Sequence, residues 1–277
     1  EVVDAQGLAR LRAGRPVAID ARGDRVTGDI RVEGETLVVT VDLHARPFPV
    51  LVDPDWRPTG DMAYGRFYHG ANVLPDGRVL ATGGCSASVC SGDLTIPACR
   101  TVVNTAETLD LGTRTWSRAA EDPVARFFHV SESLADGSVL VAGGCTDPDC
   151  TTTTPSAQRY DPATRAFQPV AMLSEARAGM SAVRLGDGRV LVVGGCTGTR
   201  CSARVELYDP TTRAWTRRAD LATARGRATA TLLTSGRVLV AGGCTTITCA
   251  TVLASAEVYD PASDRWTTTA AMSTARG

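Results

Sequence analysis

Nine cysteines are the residues of this 277-residue chain whose type and spacing could do chemistry. Eight obey one rule, Cys-x4-Cys directly after Gly-Gly: Cys85 and Cys90, Cys145 and Cys150, Cys196 and Cys201, Cys244 and Cys249. Residues five apart around a tight loop can bring their Cα atoms within the roughly 4.4–6.8 Å that a disulfide needs. The pattern predicts one disulfide per loop, in an oxidising compartment. On the chain-entropy model, closing so short a loop stabilises by about 2 kcal/mol. Three other readings stand beside it: disulfides between neighbouring units, thiolate metal binding, and redox catalysis. Zinc sites favour Cys-x2-Cys, and one pair per separate unit does not assemble four ligands. No Cys-x2-Cys occurs to support redox work. Cys99 is left over by this scheme and is expected to be unpaired or to bond another chain.

The other candidate groups are few or repeated. His69 and His129 hold matching places in Arg66-Phe-Tyr-His69 and Arg126-Phe-Phe-His129, where later copies have Met180 and Ala228. Two such histidines could converge on a metal; packing on a strand is the simpler reading. Arg66, Arg126, Arg177 and Arg225 recur, as do Glu107, Gln158, Glu206 and Glu257. These series are expected to face one another as bidentate guanidinium–carboxylate contacts, within or between units. A charged ring around a ligand channel is the functional version, and a structural bridge the plainer one. Gln158 breaks the carboxylate series, which a structural role tolerates more easily. Asp147-Pro-Asp149 and Thr151 to Thr154 could suggest calcium or glycan attachment, but a turn and solvated threonines explain them equally well. There is no Asn-x-Ser/Thr, Gly-x-Ser-x-Gly, His-Glu-x-x-His, EF-hand or phosphate-cradling loop. No catalytic, cofactor-binding or metal-binding residue is therefore assigned, and no cofactor is expected.

The elements that must position these residues are copies of one another. All 29 cationic residues are Arg, and the formal net charge is −1. That excludes lysine chemistry and gives no positive field for nucleic acid or anionic membrane. No apolar run is long enough to be a transmembrane segment. The blocks Gly77–Cys85, Gly137–Cys145, Gly188–Cys196 and Gly236–Cys244 are near copies. They carry the pairs Gly83-Gly84, Gly143-Gly144, Gly194-Gly195 and Gly242-Gly243. A second block follows each, running Leu109 to Trp116, Tyr160 to Phe167, Tyr208 to Trp215 and Tyr259 to Trp266. Each unit reads as four short strands, punctuated by Asp-Gly or Ser-Gly, Gly-Gly and Asp-Pro. No sustained helical period appears.

In its Gly-Gly pairs, its Tyr-x6-Trp spacing and its period of about 50 residues, the chain resembles the kelch repeat family, in the form found in secreted bacterial proteins. The resemblance covers about residues 56–277 and implies an all-β fold of kelch-type β-propeller blades. Leu109 stands where the family has Tyr, Phe167 where it has Trp, and Cys after every Gly-Gly is an addition. Galactose oxidase shares the architecture, but its copper-ligand constellation has no match here. The blades are placed at about 66–119, 126–170, 177–219 and 225–270. A lone closing-type strand is placed at 55–62, and the start of a further repeat at 275–277. Residues 1–54 read as a small β-rich segment, with strands at Pro16 to Ala21, Val26 to Glu33, Thr36 to Leu43 and Pro47 to Val52.

The expected function is that of a non-enzymatic, secreted or cell-surface scaffold. It would bind protein or glycan through loops between strands, or assemble with itself through open blade edges. The longest loop, Cys85 to Thr101, is the first candidate surface. Two alternatives are kept: an extracellular oxidase- or hydrolase-like enzyme with its site at the propeller axis, and a subunit of an extracellular filament. The array could also be a piece of a longer propeller.

Overall fold

The computed structural model describes residues 59–86 and 99–277 in full, and seven short backbone strands before them. The chain divides into two compact units, Glu1–Thr59 and Gly60–Gly277. In the first unit Val17–Ile19 pairs with both Arg25–Thr27 and Leu51–Asp53, and Asp29–Glu33 pairs with Thr36–Thr40. The expected strand Val26 to Glu33 is thus two strands. Val2–Val3 and Ala9–Leu11 form a further pair.

The second unit is all-β: four antiparallel sheets follow one another, each with its four strands in chain order. The second sheet shows the pattern, with strands Val130–Ser133, Val139–Ala142, Ala157–Asp161 and Ala166–Val170. Its aromatic pair falls in register, Tyr160 opposite Phe167 with ring centroids 5.2 Å apart. Tyr208 with Trp215 and Tyr259 with Trp266 repeat this, while Leu109 faces Trp116 in the first sheet. Trp215 and Trp266 also donate their indole N–H to Ala171 O and Ala219 O of the preceding sheet. The fourth strands of the third and fourth sheets are thereby tied to the preceding sheet as well as to their own.

The second strand of each sheet explains why these runs carry no polar face. Val139 and Val141 pack with Leu74, Leu80 and Ala106 of the first sheet. Leu140 and Ala142 pack with Val190, Val192 and Tyr208 of the third. A strand sandwiched between two sheets buries both faces, so it reads as Val-Leu-Val-Ala rather than as an alternation. All four of its side chains are buried. The first strands of consecutive sheets lie side by side at the inner edge, where Asn72 Nδ2 donates to Ser131 O at 3.3 Å.

The expected lone strand at 55–62 falls partly outside the described residues, and 59–62 carry no strand. They hold another place: Ala63 N–H donates to Glu107, as Ser174 N–H does to Glu206 and Ala222 N–H to Glu257. Residues 59–63 thus meet the first sheet as the connection after a fourth strand meets the next sheet. At the other end Arg276 O accepts from Gly243 N–H at 2.7 Å. Arg126, Arg177 and Arg225 accept the equivalent bond from Gly84, Gly144 and Gly195 at 2.8 Å.

Candidate ligand-binding rim and axial pocket

The repeated arginines are buried inside single sheets. Arg126 and Arg177 have no exposed surface, and Arg225 has 1%. Each guanidinium spans its own sheet. Arg225 donates through Nη1 to Gly242 O and Ser255 O at 2.8 and 2.9 Å, and through Nη2 to Ser255 Oγ and Glu257 Oε1, both at 2.9 Å. Arg66 holds Gly83 O, Thr105 O and Glu107 in the same way, and Arg177 holds Gly194 O, Arg204 O and Glu206. The turn after the second strand is thus latched to the start of the third. The carboxylates do not meet the fork bidentately. One oxygen takes the arginine and the other takes a backbone N–H, as in the pair from Glu206 to Arg177 and Ser174. Burial lowers the pKa of Arg66 and Arg177 while the carboxylates oppose it.

The second sheet departs from the pattern in two places at once. Gln158 replaces the carboxylate, and the counter-charge comes from Asp122, whose Oδ2 lies 2.9 Å from Arg126 Nε. Asp122 stands where Leu173, Leu221 and Met272 stand in the other units. The equivalence is fixed by one backbone bond per unit: Asp122, Leu173, Leu221 and Met272 donate to Asn104, Pro155, Ala203 and Ala254. Arg126 still holds Gly143 O and Ser156 O, both at 2.9 Å. The cation stays where the carbonyls are, while the anion changes position.

Cysteine follows each Gly-Gly pair at the same end of every sheet. Disulfides join Cys145 to Cys150, Cys196 to Cys201 and Cys244 to Cys249, with Cα separations of 4.9, 3.8 and 4.9 Å. Cys150 and Cys249 take left-handed backbone, φ 55° each, to close the five-residue loop. The first unit corrects the sequence reading. Cys85 bonds Cys99, not Cys90, across a Cα distance of 5.5 Å. The reason is register. Cys85–Ser86 pairs with Thr101–Val102, and Arg100 N–H donates to Ser86 O, so Cys99 arrives beside the neck of the long loop. Cys99 is therefore not the unpaired cysteine. Cys90 lies outside the described residues, as does most of the loop expected to be the first contact surface.

The Gly-Gly pairs work at the joint between sheets. Gly83 and Gly143 have φ of 58° and 67°, and a Cβ on either would lie within 2.5–2.6 Å of the next unit's arginine carbonyl. Only glycine fits.

Two residues after each latch arginine comes a position with φ between 53° and 63°: Tyr68, Phe128, Gly179 and Arg227. Their backbones form a relay from sheet to sheet. Phe128 N–H donates to Tyr68 O, Gly179 N–H to Phe128 O, and Arg227 N–H to Gly179 O, at 3.2, 2.7 and 2.7 Å. The side chains stack along this rim. Tyr68 and Phe128 have centroids 3.9 Å apart, and the Arg227 guanidinium lies 4.3 Å from the Phe128 centroid. Beneath them Phe127, Ala178 and the cysteines of the first two units form an apolar cluster, flanked by Phe67 and Ile247.

Inside the rim, the first strands of three sheets line a cavity of about 280 Å³ with His69, His129, Ser131, Glu132 and Met180 among its walls. The two histidines do converge there, but His129 is committed to the scaffold. Its Nε2 lies 3.2 Å from Thr82 Oγ1, and its ring packs over Gly83 as Met180 packs over Gly143. Burial, reinforced by the charges of Arg126 and His69, pushes the His129 pKa down to about 3. Burial likewise lowers His69, with Arg66 adding to the effect. Glu132 is pushed up by burial against the pull of Arg184. No cluster of three or more His, Cys, Asp or Glu able to hold a metal occurs among the described residues. Asp147 is spent on its own loop. Burial opposes its ionisation, but bonds from Thr151 and Thr152 outweigh that and hold its pKa low.

A kelch motif family model matches residues 177–222 and 226–273, the third and fourth sheets. Residues 177–273 carry kelch repeats. The first two units share strand order, latch and Gly-Gly joint with the matched pair. Among solved structures, that of YjhT is similar with a TM-score of 0.63 at 13% identity, covering 91% of this chain and 79% of that one. At that identity the likeness is one of fold, and it is a propeller-type fold. A weaker likeness, TM-score 0.49 at 15% identity, covers 95% of this chain and 66% of a fungal alcohol oxidase of the AA5 family in complex with copper. No curated protein sequence matches the chain. The four disulfides suit an oxidising environment, and no helix long and apolar enough to cross a membrane occurs among the described residues.

Proposed function

We propose that this chain is a secreted or cell-surface binding scaffold without catalytic activity, whose ligand, protein or glycan, meets the disulfide-bearing face. One observation carries this reading. The arginines that recur in every unit are turned inward and spent on backbone groups, while the rim keeps Tyr68 exposed and Arg227 without a carboxylate. A fixed frame with variable loops at one end is the arrangement that binding proteins use. Disulfides fix those loops before a ligand arrives, which lowers the ordering cost of binding.

The test is a surface plasmon resonance screen of the purified, oxidised chain against glycans and extracellular proteins. It is repeated with Ile247→Asp at the rim and Met172→Asp away from it. The reading expects a ligand lost with the first variant and kept with the second. An enzymatic turnover that vanishes with His69→Ala would replace it with the axial-enzyme reading. Secretion is tested separately by mass spectrometry of unreduced peptides from cell medium, where each disulfide lightens its peptide pair by about two mass units. Wholly reduced intracellular protein would remove the extracellular assignment.

A further inference from the structure

Arg227 differs in its surroundings from the four latch arginines. Arg66, Arg126, Arg177 and Arg225 each have a carboxylate within ion-pair distance, and partly buried Arg159 and Arg204 have Asp136 and Glu175. Arg227 is half-buried and has no ion pair among the described residues. Its Nη1 has only Cys249 Sγ, at 3.7 Å, and its Nε, like those of Arg66, Arg126 and Arg177, is buried without a hydrogen-bond partner. Withdrawing a guanidinium from water without a counter-charge is costly. Its backbone is also held at φ 54°, as are Tyr68 and Phe128 at 54° and 53°. Such backbone is strained for any residue but glycine. Gly179, at the same place in the third unit, shows that the relay needs no side chain. Three of the nine non-glycine residues with left-handed backbone among the described residues thus meet on this rim.

Those side chains make one surface. Tyr68 is 36% exposed, Phe128 stacks against it, and Arg227 crosses over Gly179 to bring its guanidinium within 4.3 Å of the Phe128 centroid and 5.9 Å of the Tyr68 centroid. The adjoining loop brings hydroxyls, with Thr246 and Thr248 beside Cys249, which Arg227 touches. A half-exposed tyrosine ring, a planar cation without a carboxylate and nearby hydroxyls form a complementary set for a sugar ring that bears a carboxylate. The C–H face of the ring stacks on the tyrosine, the carboxylate meets the guanidinium, and the ring hydroxyls meet threonine. We infer that the rim formed by Tyr68, Phe128 and Arg227 is a binding site for an acidic, uronate-type saccharide. This rests on the scaffold reading and specifies its ligand.

The test is isothermal titration of the oxidised chain with trigalacturonate and with its neutral counterpart galactotriose. Arg227→Gly copies the third unit, and Tyr68→Gly removes a strained ring, so both variants should fold. The inference expects the acidic trisaccharide to bind more tightly than the neutral one. Arg227→Gly should weaken the acidic ligand by about tenfold to a hundredfold, the worth of a charge-assisted hydrogen bond. Tyr68→Gly should weaken both. Equal binding of the two sugars, or acidic binding untouched by Arg227→Gly, overturns the inference and leaves the scaffold reading standing. No binding of either sugar also overturns it, whatever the wider screen finds.

Discussion

Arg225 and Arg227 stand two residues apart in the fourth unit and lead opposite lives. Arg225 lies inside its sheet, with two carbonyls, a hydroxyl and Glu257 around it. Arg227 lies on the rim, stacked on Phe128, without a carboxylate. The first recurs in every unit, while the second has Tyr68, Phe128 and Gly179 as its equivalents. The contrast separates the molecule into a latch layer that repeats because the backbone needs it and a rim layer that varies because the backbone does not. The second unit refines the point. With Gln158 in place of Glu, Asp122 supplies the anion from another position, and the carbonyls keep their arginine. The latch is thus a device for satisfying carbonyls, which requires a cation, and the cation requires a neighbouring charge.

The comparison can be broken most forcefully from the latch side. Arg177→Met leaves Glu206 buried and unpaired and two carbonyls without donors, and should cost about 3–5 kcal/mol in urea unfolding. Asp122→Leu should cost a similar amount because Arg126 loses its one ion-pair partner among the described residues. Adding Gln158→Glu should then recover most of it by restoring the arrangement of the third unit. Additive effects of the two changes would show that the anion has not moved from one position to the other.

The rim disulfides should matter less, and unequally. Replacing both Cys85 and Cys99 by Ser opens a loop of 14 residues in sequence separation and should cost about 3 kcal/mol. The same change at Cys145 and Cys150, separated by 5, should cost about 2 kcal/mol. Equal costs would mean that strain rather than loop length decides.

The last effect, confined to acid pH, comes from one histidine. His129 is held near 3 in the fold, against an ordinary value of 6.5. Between those values the unfolded chain binds more protons than the folded one. Stability should therefore fall as pH drops through that window, by up to about 1.4 kcal/mol per pH unit for one proton. His129→Met, copying Met180, should give a shallower acid limb when urea midpoints are compared at pH 7, 5 and 4. An unchanged limb would assign the acid sensitivity to other groups.

Much of the fold is legible in the sequence because each unit is built from local signals. Asp-Gly or Ser-Gly turns, Gly-Gly joints and the seven-residue step from Tyr or Leu to an aromatic residue mark strand ends four times over. The site was less so. Nothing local in Tyr68, Phe128 or Arg227 announces left-handed backbone, since such residues rarely adopt it. The available signal was Gly179, the glycine among their repeat equivalents. Asp122 could have been found likewise, as an acid in the series Leu173, Leu221 and Met272 opposite an amide in the series Glu107, Glu206 and Glu257. The pairing of Cys99 depends on the register of Cys85–Ser86 against Thr101–Val102. Spacing alone favoured the nearer Cys90, whose pattern matches the other loops.

The division between latch and rim is tested most directly by unfolding Arg225→Met and Arg227→Gly side by side in urea, under identical oxidising conditions. The account predicts that Arg225→Met loses about 3–5 kcal/mol. Arg227→Gly should stay within about 1 kcal/mol of the parent, the lost stacking being offset by relief of its backbone strain. A loss at Arg227 as large as that at Arg225 would show that the rim arginine belongs to the scaffold, and the contrast on which the binding site rests would be gone.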